Sequence, residues 1–316
     1  MKVSVIIGTR NQADCLNTAI ASVLSNTYQN FEILIIDESP DNLTEKIAQL
    51  YVAQDQRVKY FHILTKGRTK GLNYGIKISQ GEIIAITDSD CQVAPDWLEK
   101  IIFVFNRYPD VDMVYGSLIP EIDSQNRWFV PGVMLKDRIF SGPRSKIFEN
   151  GMGGNMAMRK RLFARIGYFD QFLGPGTLFC GGDDWDFSYR VLKNGFKVAH
   201  SSMVKVRHLG RRDILQWKKL LKEYRVSDAA VFFKHIRCFD LNAVYVLIGM
   251  YLIYIHRIIK STSLNNRGLI QGIIYKFYVF FLLTFSFLKG IVLSMKFPVD
   301  RRRQIFYEEP SIFKYK

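Results

Sequence analysis

Short continuous apolar runs alternate along the first ninety residues with segments in which apolar positions return every three or four residues. Residues 3–7 form a run of strand length, after which Leu16, Ala19, Ile20, Val23 and Leu24 fall on one face of a helix. The pattern then repeats. Residues 31–36 predict a second strand that ends at Asp37; a helix marked by Leu43, Ile47, Leu50 and Tyr51 follows, and residues 58–61 predict a third strand. A glycine-punctuated segment, 66–75, leads into a further helix. The Ile-rich run at 83–87 then reads as a strand buried on both faces. Alternation of this kind predicts an α/β fold, a doubly wound and mostly parallel sheet with helices on both sides.

Open sheets of this class bind ligands beyond the carboxyl ends of their strands. The strand at 83–87 ends in Thr87-Asp-Ser-Asp, which places Asp88 and Asp90 at that edge. Two acids so close repel and lose hydration unless a hard cation or a ribose compensates them. The plain alternative is a pair of turn-forming acids. Gly8-Thr9-Arg10 is not a G-x-G-x-x-G turn and no G-x-x-x-x-G-K-[ST] occurs, so dinucleotide and P-loop readings lack their motifs.

Charge divides the chain. The formal net charge is +15; residues 1–200 carry 23 Lys+Arg against 22 Asp+Glu, and residues 201–316 carry 21 against 7. The excess lies in the last third, beside the longest apolar stretches, which points to anionic membrane lipid more than to nucleic acid. Cys15, Cys91, Cys180 and Cys238 show no paired spacing, so neither a zinc site nor a disulfide frame is expected and the compartment reads as reducing. The apolar run after Met1-Lys2 is too short for a signal-peptide core, so a cytosolic start is expected.

Taken in order, the motifs resemble a known family. Val3-Ser-Val-Ile-Ile-Gly-Thr-Arg-Asn, Ala19-Ile-Ala-Ser-Val-Leu, Thr27-Tyr28 and Phe31-Glu-Ile-Leu-Ile-Ile-Asp37 resemble the nucleotide-binding half of family 2 glycosyltransferases, which have the GT-A fold. Thr87-Asp-Ser-Asp resembles their D-x-D motif, with Pro95-Asp96-Trp97-Leu98 behind it. Gly154-Asn-Met-Ala-Met-Arg, Ile166-Gly-Tyr-Phe-Asp170 and Gly181-Gly-Asp-Asp-Trp-Asp-Phe-Ser-Tyr-Arg190 resemble the acceptor-side half. The resemblance covers about residues 1–210. It implies a GT-A domain there, with nucleotide-sugar binding in 1–100 and the acceptor side and catalytic base in 101–210.

That resemblance assigns roles. Asp88 would contact the ribose or a divalent cation (Mn2+ or Mg2+), Asp90 the cation, and Asp37 the base or ribose of a nucleotide-diphospho-sugar donor. Thr9 and Arg10 would line the base. Lys66, Arg68 and Lys70 would meet phosphate oxygens, unless they form only a solvated basic loop. Asn73 would be either polar wall or structural turn. Asp184 would be the base that takes the acceptor's proton, inverting the anomeric centre; the alternative for Asp183 and Asp184 is helix capping. Asp183 stands where the family usually has Glu. His208 resembles a histidine that completes metal coordination in some relatives, and imidazole suits Mn2+ better than Mg2+; otherwise it is a hydrogen-bonded, half-buried side chain. Trp97 and Trp185 read as packing residues near the site, with an aromatic wall for a sugar ring as the alternative. No Q-x-x-R-W occurs, which favours single-sugar transfer over processive synthesis.

Beyond residue 210 the reading is physical. Ile214, Trp217, Leu220, Leu221 and Tyr224 share a helical face whose remainder carries Lys218, Lys219, Lys222 and Arg225, a pattern suited to a membrane surface. Residues 241–255 are uncharged. Residues 268–295 are interrupted by Lys276 and Lys289, leaving an apolar core at 277–288. Both fall short of the ~20 residues of a straight span unless the flanking cations snorkel, so two spans compete with an interfacial hairpin and with ordinary core helices. Arg301-Arg302-Arg303 adds a basic cluster that fits anionic headgroups. Residues 211–316 are expected to form a membrane-associated helical region at the cytoplasmic face. The whole reads as a metal-dependent, inverting glycosyltransferase acting on a lipid-linked or cell-surface glycan acceptor. Two competitors remain: a non-catalytic carbohydrate- or nucleotide-sugar-binding relative acting as a membrane scaffold, and a nucleotidyltransferase that lacks its Gly-rich basic loop after strand one.

Overall fold

The computed structural model describes residues 1–121, 132–145, 151–260 and 269–307, with side chains from 274 onward in the last stretch. Gly268, where the second apolar stretch begins, and residues 308–316 of the C-terminal region lie outside the described residues.

The first strands form as the alternation predicts. β1 (Val3–Thr9), β2 (Phe31–Asp37), β3 (Val58–His62) and β4 (Ile83–Asp88) are parallel in the order β3-β2-β1-β4, and α1 (Ala13–Leu24), α2 (Leu43–Gln54) and α3 (Arg68–Ile78) connect them. Register aligns the carboxyl ends: Thr9 lies beside Asp37 and Gly8 beside Asp88. Because strand side chains alternate, Val5, Ile7, Ile33, Ile35 and Ala85 enter one core with α1, while Ile6, Leu34, Ile36, Ile84 and Ile86 enter another with Leu72 and Ile76 of α3. Each fully buried Ile contributes roughly 1.5–3 kcal/mol, so a one-residue register slip would be costly on both faces.

The second half of the sheet is mixed. β5 (Cys91–Val93), α4 (Trp97–Arg107), β6 (Val111–Pro120), β7 (Arg138–Ser141), β8 (Asn155–Arg159), α5 (Arg161–Ile166), α6 (Asp183–Lys193) and β9 (Lys197–His208) extend it as β4-β8-β6-β9-β5, with β7 on β9. β8 runs antiparallel to β4 and β6, and β6 parallel to β9. β5 pairs antiparallel with β9, so Cys91 faces His208 across the ladder.

Three long helices follow: α7 (Ile214–Arg237), α8 (Leu241–Lys260) and α9 (Leu269–Met295), then a hairpin of β10 (Val299–Asp300) and β11 (Ile305–Phe306). A capping box between Asp213 and Gln216 starts α7. The division expected at residue 210 runs through a packed unit. Ala229, Ala230, Val231 and Phe232 are fully buried in the same core as Phe187 of α6. Lys234 pairs with Asp170 and Asp186, each at 2.6 Å, and Asp186 also meets His235 and Arg190, each at 2.9 Å. Burial pushes Asp186 upward, but Lys234 and Arg190 outweigh it and hold the carboxyl well below its usual range. Burial lowers His235 to about 4 against the pull of Asp186. The Phe306 N–H donates to Asp170 Oδ2 at 2.9 Å, tying the hairpin to the same cluster.

α8 and α9 are both long and apolar enough to cross a membrane by length and composition. They exceed the apolar cores visible in sequence because regular helix runs on through the flanking residues, giving 20 and 27 residues. One side packs on α7 through Val246, Met250, Leu283 and Phe287. The other exposes Tyr245, Ile248 and Leu252 of α8 and Phe277, Phe281 and Phe285 of α9.

Candidate active site

Arg68 organises the cleft at the carboxyl end of β4. It is the first residue of α3, held there by Gly67 at φ 138°, a backbone conformation that glycine tolerates. Its Nε and Nη2 donate to Asp88 Oδ1 at 2.9 and 2.8 Å, its Nη1 to Asp183 Oδ2 at 2.8 Å, and Nη2 also to the Gly153 carbonyl at 2.9 Å. One guanidinium thus joins the strand-end acid to the first acid of α6. Burial works against its charge, but Asp88 and Asp183 outweigh that and raise its pKa.

Asp183 and Asp184 occupy the first turn of α6, where the helix dipole favours anions. Gly182 caps the helix at φ 80°, and a Cβ there would stand 2.8 Å from Val231 of α7. The side chain of Asp184 accepts from the Gly153 N–H at 3.0 Å and from the Trp185 N–H at 2.8 Å. Its carbonyl accepts from the Tyr115 hydroxyl at 3.0 Å. Burial first, and the neighbouring Asp183 charge second, push Asp184 up to about 7, with Arg68 opposing. A carboxyl poised near neutrality is matched to general-base work. Neither acid is the N-cap residue, which is Gly182, although Asp184 also satisfies the first-turn N–H of Trp185.

A second cluster sits beside this pair. His208 Nε2 lies 3.7 Å from Asp90 Oδ2, and the ligand atoms of Asp90, Cys91 and His208 all fall within 4.8 Å of one another. His208 Nδ1 is buried without a hydrogen-bond partner among the described residues. Burial raises the Asp90 carboxyl, His208 opposing and Asp88 adding to it. A Cβ on Gly210 would stand 2.2 Å from Asp90 Oδ2, so only glycine fits that approach. An imidazole and a destabilised carboxylate that face each other without a full hydrogen bond fit a shared divalent cation.

A cleft of about 560 Å³ is lined by Arg68, Asp88, Asp183, Asp184 and His208; Asp90 lines a neighbouring pocket with Gly210 and Arg212. Trp185 lines the cleft as well, whereas Trp97 is fully buried and donates to Asn155 Oδ1 at 2.9 Å. Its far wall comes from the helices after residue 210, with Tyr224, Arg225 and Asp228 of α7, Tyr254 of α8 and Val279 of α9. Tyr224 and Arg225, read in sequence as part of a membrane-surface helix, line the cleft instead; Tyr115, Asp228, Tyr254 and Val279 are marked by no motif. Asp228 is a second carboxyl raised to about 7, by burial above all, with the Tyr254 hydroxyl donating to it at 2.7 Å.

Other expected contacts go elsewhere. Asp37 is fully buried; its oxygens accept from the Ser39 N–H and the Tyr60 hydroxyl, both at 2.9 Å, so it pins the β2 corner and does not line the cleft. The Asn73 amide is closed on the main chain of Phe169, donating at 2.9 Å and accepting at 3.0 Å, which makes it a structural clamp. Arg68 meets acids where phosphate was expected. Lys66 and Lys70 line a separate groove. Arg10 donates to the Glu38 carbonyl at 2.6 Å, and Thr9 Oγ1 is buried without a partner among the described residues.

Comparison with known proteins fits this geometry. The family model for glycosyl transferase family 2 matches residues 4–167. A glucosyl-dolichyl phosphate glucuronosyltransferase of Haloferax volcanii is 23% identical over 217 residues, covering 66% of this chain and 69% of that protein. An uncharacterized glycosyltransferase of Rickettsia felis is 30% identical over 197 residues, covering 60% of this chain but only 31% of the relative's length. Among solved structures, S. aureus TarS 1–349 with UDP-GlcNAc superposes with a TM-score of 0.62 at 17% identity, covering 96% of this chain and 90% of that one. The mannosyltransferase PcManGT of Pyrobaculum calidifontis with GDP-Man and Mn2+ gives 0.61 at 16% identity, covering 93% and 87%. These likenesses show the GT-A fold. With more than half of its length matched by the family model, the chain belongs to glycosyl transferase family 2.

Proposed function

We propose that this glycosyltransferase moves a single sugar from a nucleotide-diphospho-sugar to an acceptor hydroxyl, with Asp184 as base and inversion at the anomeric carbon. The observation that carries the reading is Asp184 itself, a carboxyl lifted to about 7 on the wall of a cleft that also holds Asp88 and His208. In that role Asp184 accepts the hydroxyl proton as the oxygen attacks, while the Gly153 and Trp185 N–H groups fix its orientation. Asp90 and His208, with Asp88 beside them, would hold a divalent cation, which when bound stabilises charge developing on the departing diphosphate. Support for a nucleotide donor includes the buried Thr9 Oγ1 at the carboxyl end of β1, which has no partner among the described residues, and two structural neighbours hold UDP-GlcNAc and GDP-Man.

The acceptor side is amphipathic. Asp184 shares its cleft with α8 and α9, whose outer faces are apolar and exposed. This supports a lipid-linked or cell-surface glycan acceptor and association with an anionic membrane at its cytoplasmic face. The test is a donor screen: purified full-length protein in detergent, supplied with UDP-, GDP- and dTDP-sugars with and without Mn2+. Metal-dependent release of nucleotide from one donor class is expected; no turnover with any donor or acceptor lipid would favour a non-catalytic binding protein.

A further inference from the structure

Behind the segment 174–180 lies a groove of about 1220 Å³ that the proposed reaction does not use. Lys66, Lys70 and Lys77 line it from α3 and the turn before it, Arg165 from α5, and Arg302 and Arg303 from the C-terminal hairpin. Among the described residues Asp300 is the acid lining the groove with them, and it lies 3.8 Å from Arg303. Lys66, Lys70, Arg165 and Arg302 have no ion-pair partner among the described residues. Cations gathered in a concave site repel one another, and an anionic ligand relieves that repulsion.

From this groove we infer a second binding site, for an acidic glycan carrying phosphate or carboxylate groups. Two observations select a glycan chain over a flat anionic bilayer. The cations line a concave groove and not a flat face, and Tyr307 lines it with 41% of its surface exposed, offering a ring face to a sugar ring, whereas Tyr168 already stacks on Phe163 and lies under Lys77 Nζ. Gln304, also on its wall, is held at φ 59° with a buried Oε1 that lacks a partner, an acceptor atom with no use inside the fold among the described residues. The groove adjoins the catalytic cleft. Pro175 and Cys180 line the cleft, and Gly176, Thr177 and Leu178, between them in sequence, line the groove. A glycan whose end reaches Asp184 would cross this segment and lay its acidic portion among the cations. That placement rests on the transferase reading; the binding itself does not.

Full-length protein in detergent micelles is titrated with a hyaluronan oligomer, a phosphodiester-linked sugar oligomer and a neutral dextran oligomer of matched length. Binding of either acidic oligomer, weakened by salt, is expected, with no binding of dextran. Arg165→Glu with Arg302→Glu should weaken acidic-oligomer binding by about tenfold or more, equivalent to ~1.4 kcal/mol, while Arg165→Lys with Arg302→Lys retains it. Donor hydrolysis should be unchanged in both. Wild-type affinity in the charge-reversed protein would overturn the site, as would loss confined to phosphatidylglycerol vesicles, which would mark a membrane-facing surface. The titration needs neither donor nor Asp184, so an inactive protein that binds oligomer leaves the groove intact, and an active one that does not bind removes the groove alone.

Discussion

Arg68 and Asp183 stand 115 positions apart in sequence, yet their side chains meet at 2.8 Å. The contact locks the carboxyl end of β4 to the start of α6, because the same guanidinium also holds Asp88. Planar, forked donors make such a bridge; an ammonium cannot hold both acids in this geometry. The pair also sets the charge around Asp184, since Asp183 raises its pKa and Arg68 lowers it.

The pH dependence follows from that balance. Asp184 works as a base only when ionised, so kcat/KM should rise with pH along a limb centred near 7. Removing the Asp183 charge should move the limb downward. Stability runs the opposite way. A carboxyl raised from about 4 to about 7 binds more protons folded than unfolded between those values, so its contribution is fully present below the lower value and lost as pH rises through the upper one. Asp184→Asn should therefore melt at a higher temperature than wild type at pH 8, with the difference vanishing at pH 4. Thermal scans at both pH values and a pH–rate profile of Asp183→Asn check these outcomes.

Metal binding should reside in Asp90 and His208. Asp90→Asn and His208→Ala should each weaken Mn2+ binding at least about tenfold, the range seen when metal-site groups are lost, without unfolding the chain. Calorimetric titration of Mn2+ into the full-length protein measures this directly. Unchanged affinity in both variants would leave the pair as a half-made hydrogen bond in the core.

The cluster around Lys234 makes a structural prediction. Lys234→Met would leave Asp170 and Asp186 buried without their shared cation, costing about 3–5 kcal/mol, and urea unfolding should show it. A chain ending at residue 210 removes Lys234 and His235 together and should not fold.

Much of the parallel half of the sheet was legible in sequence because its signals are local. The runs ending at Thr9, Asp37 and Asp88 are continuous and apolar, so strand ends and the acids beyond them could be placed by inspection. Their contacts could not: nothing in the order of residues says that Tyr60 and Ser39 occupy Asp37, or that the Phe169 main chain occupies Asn73. α7 misled for a related reason. Its first half carries the basic amphipathic pattern read as a membrane surface, and only the partners of Lys234 and His235 on α6 and near residue 170 reveal that the helix end is core. The mixed half of the sheet, with β8 between β4 and β6, depends on pairings far apart in sequence that periodicity does not encode.

The central claim is that Asp184 performs the chemistry without binding the donor. Asp184→Asn, assayed for donor affinity by calorimetry and for turnover on the same donor with Mn2+, tests it most directly. The account predicts unchanged donor Kd and a kcat lower by on the order of 10²–10⁴-fold. Turnover near the wild-type rate would contradict it, and would return Asp184 to the first turn of α6 as a structural acid.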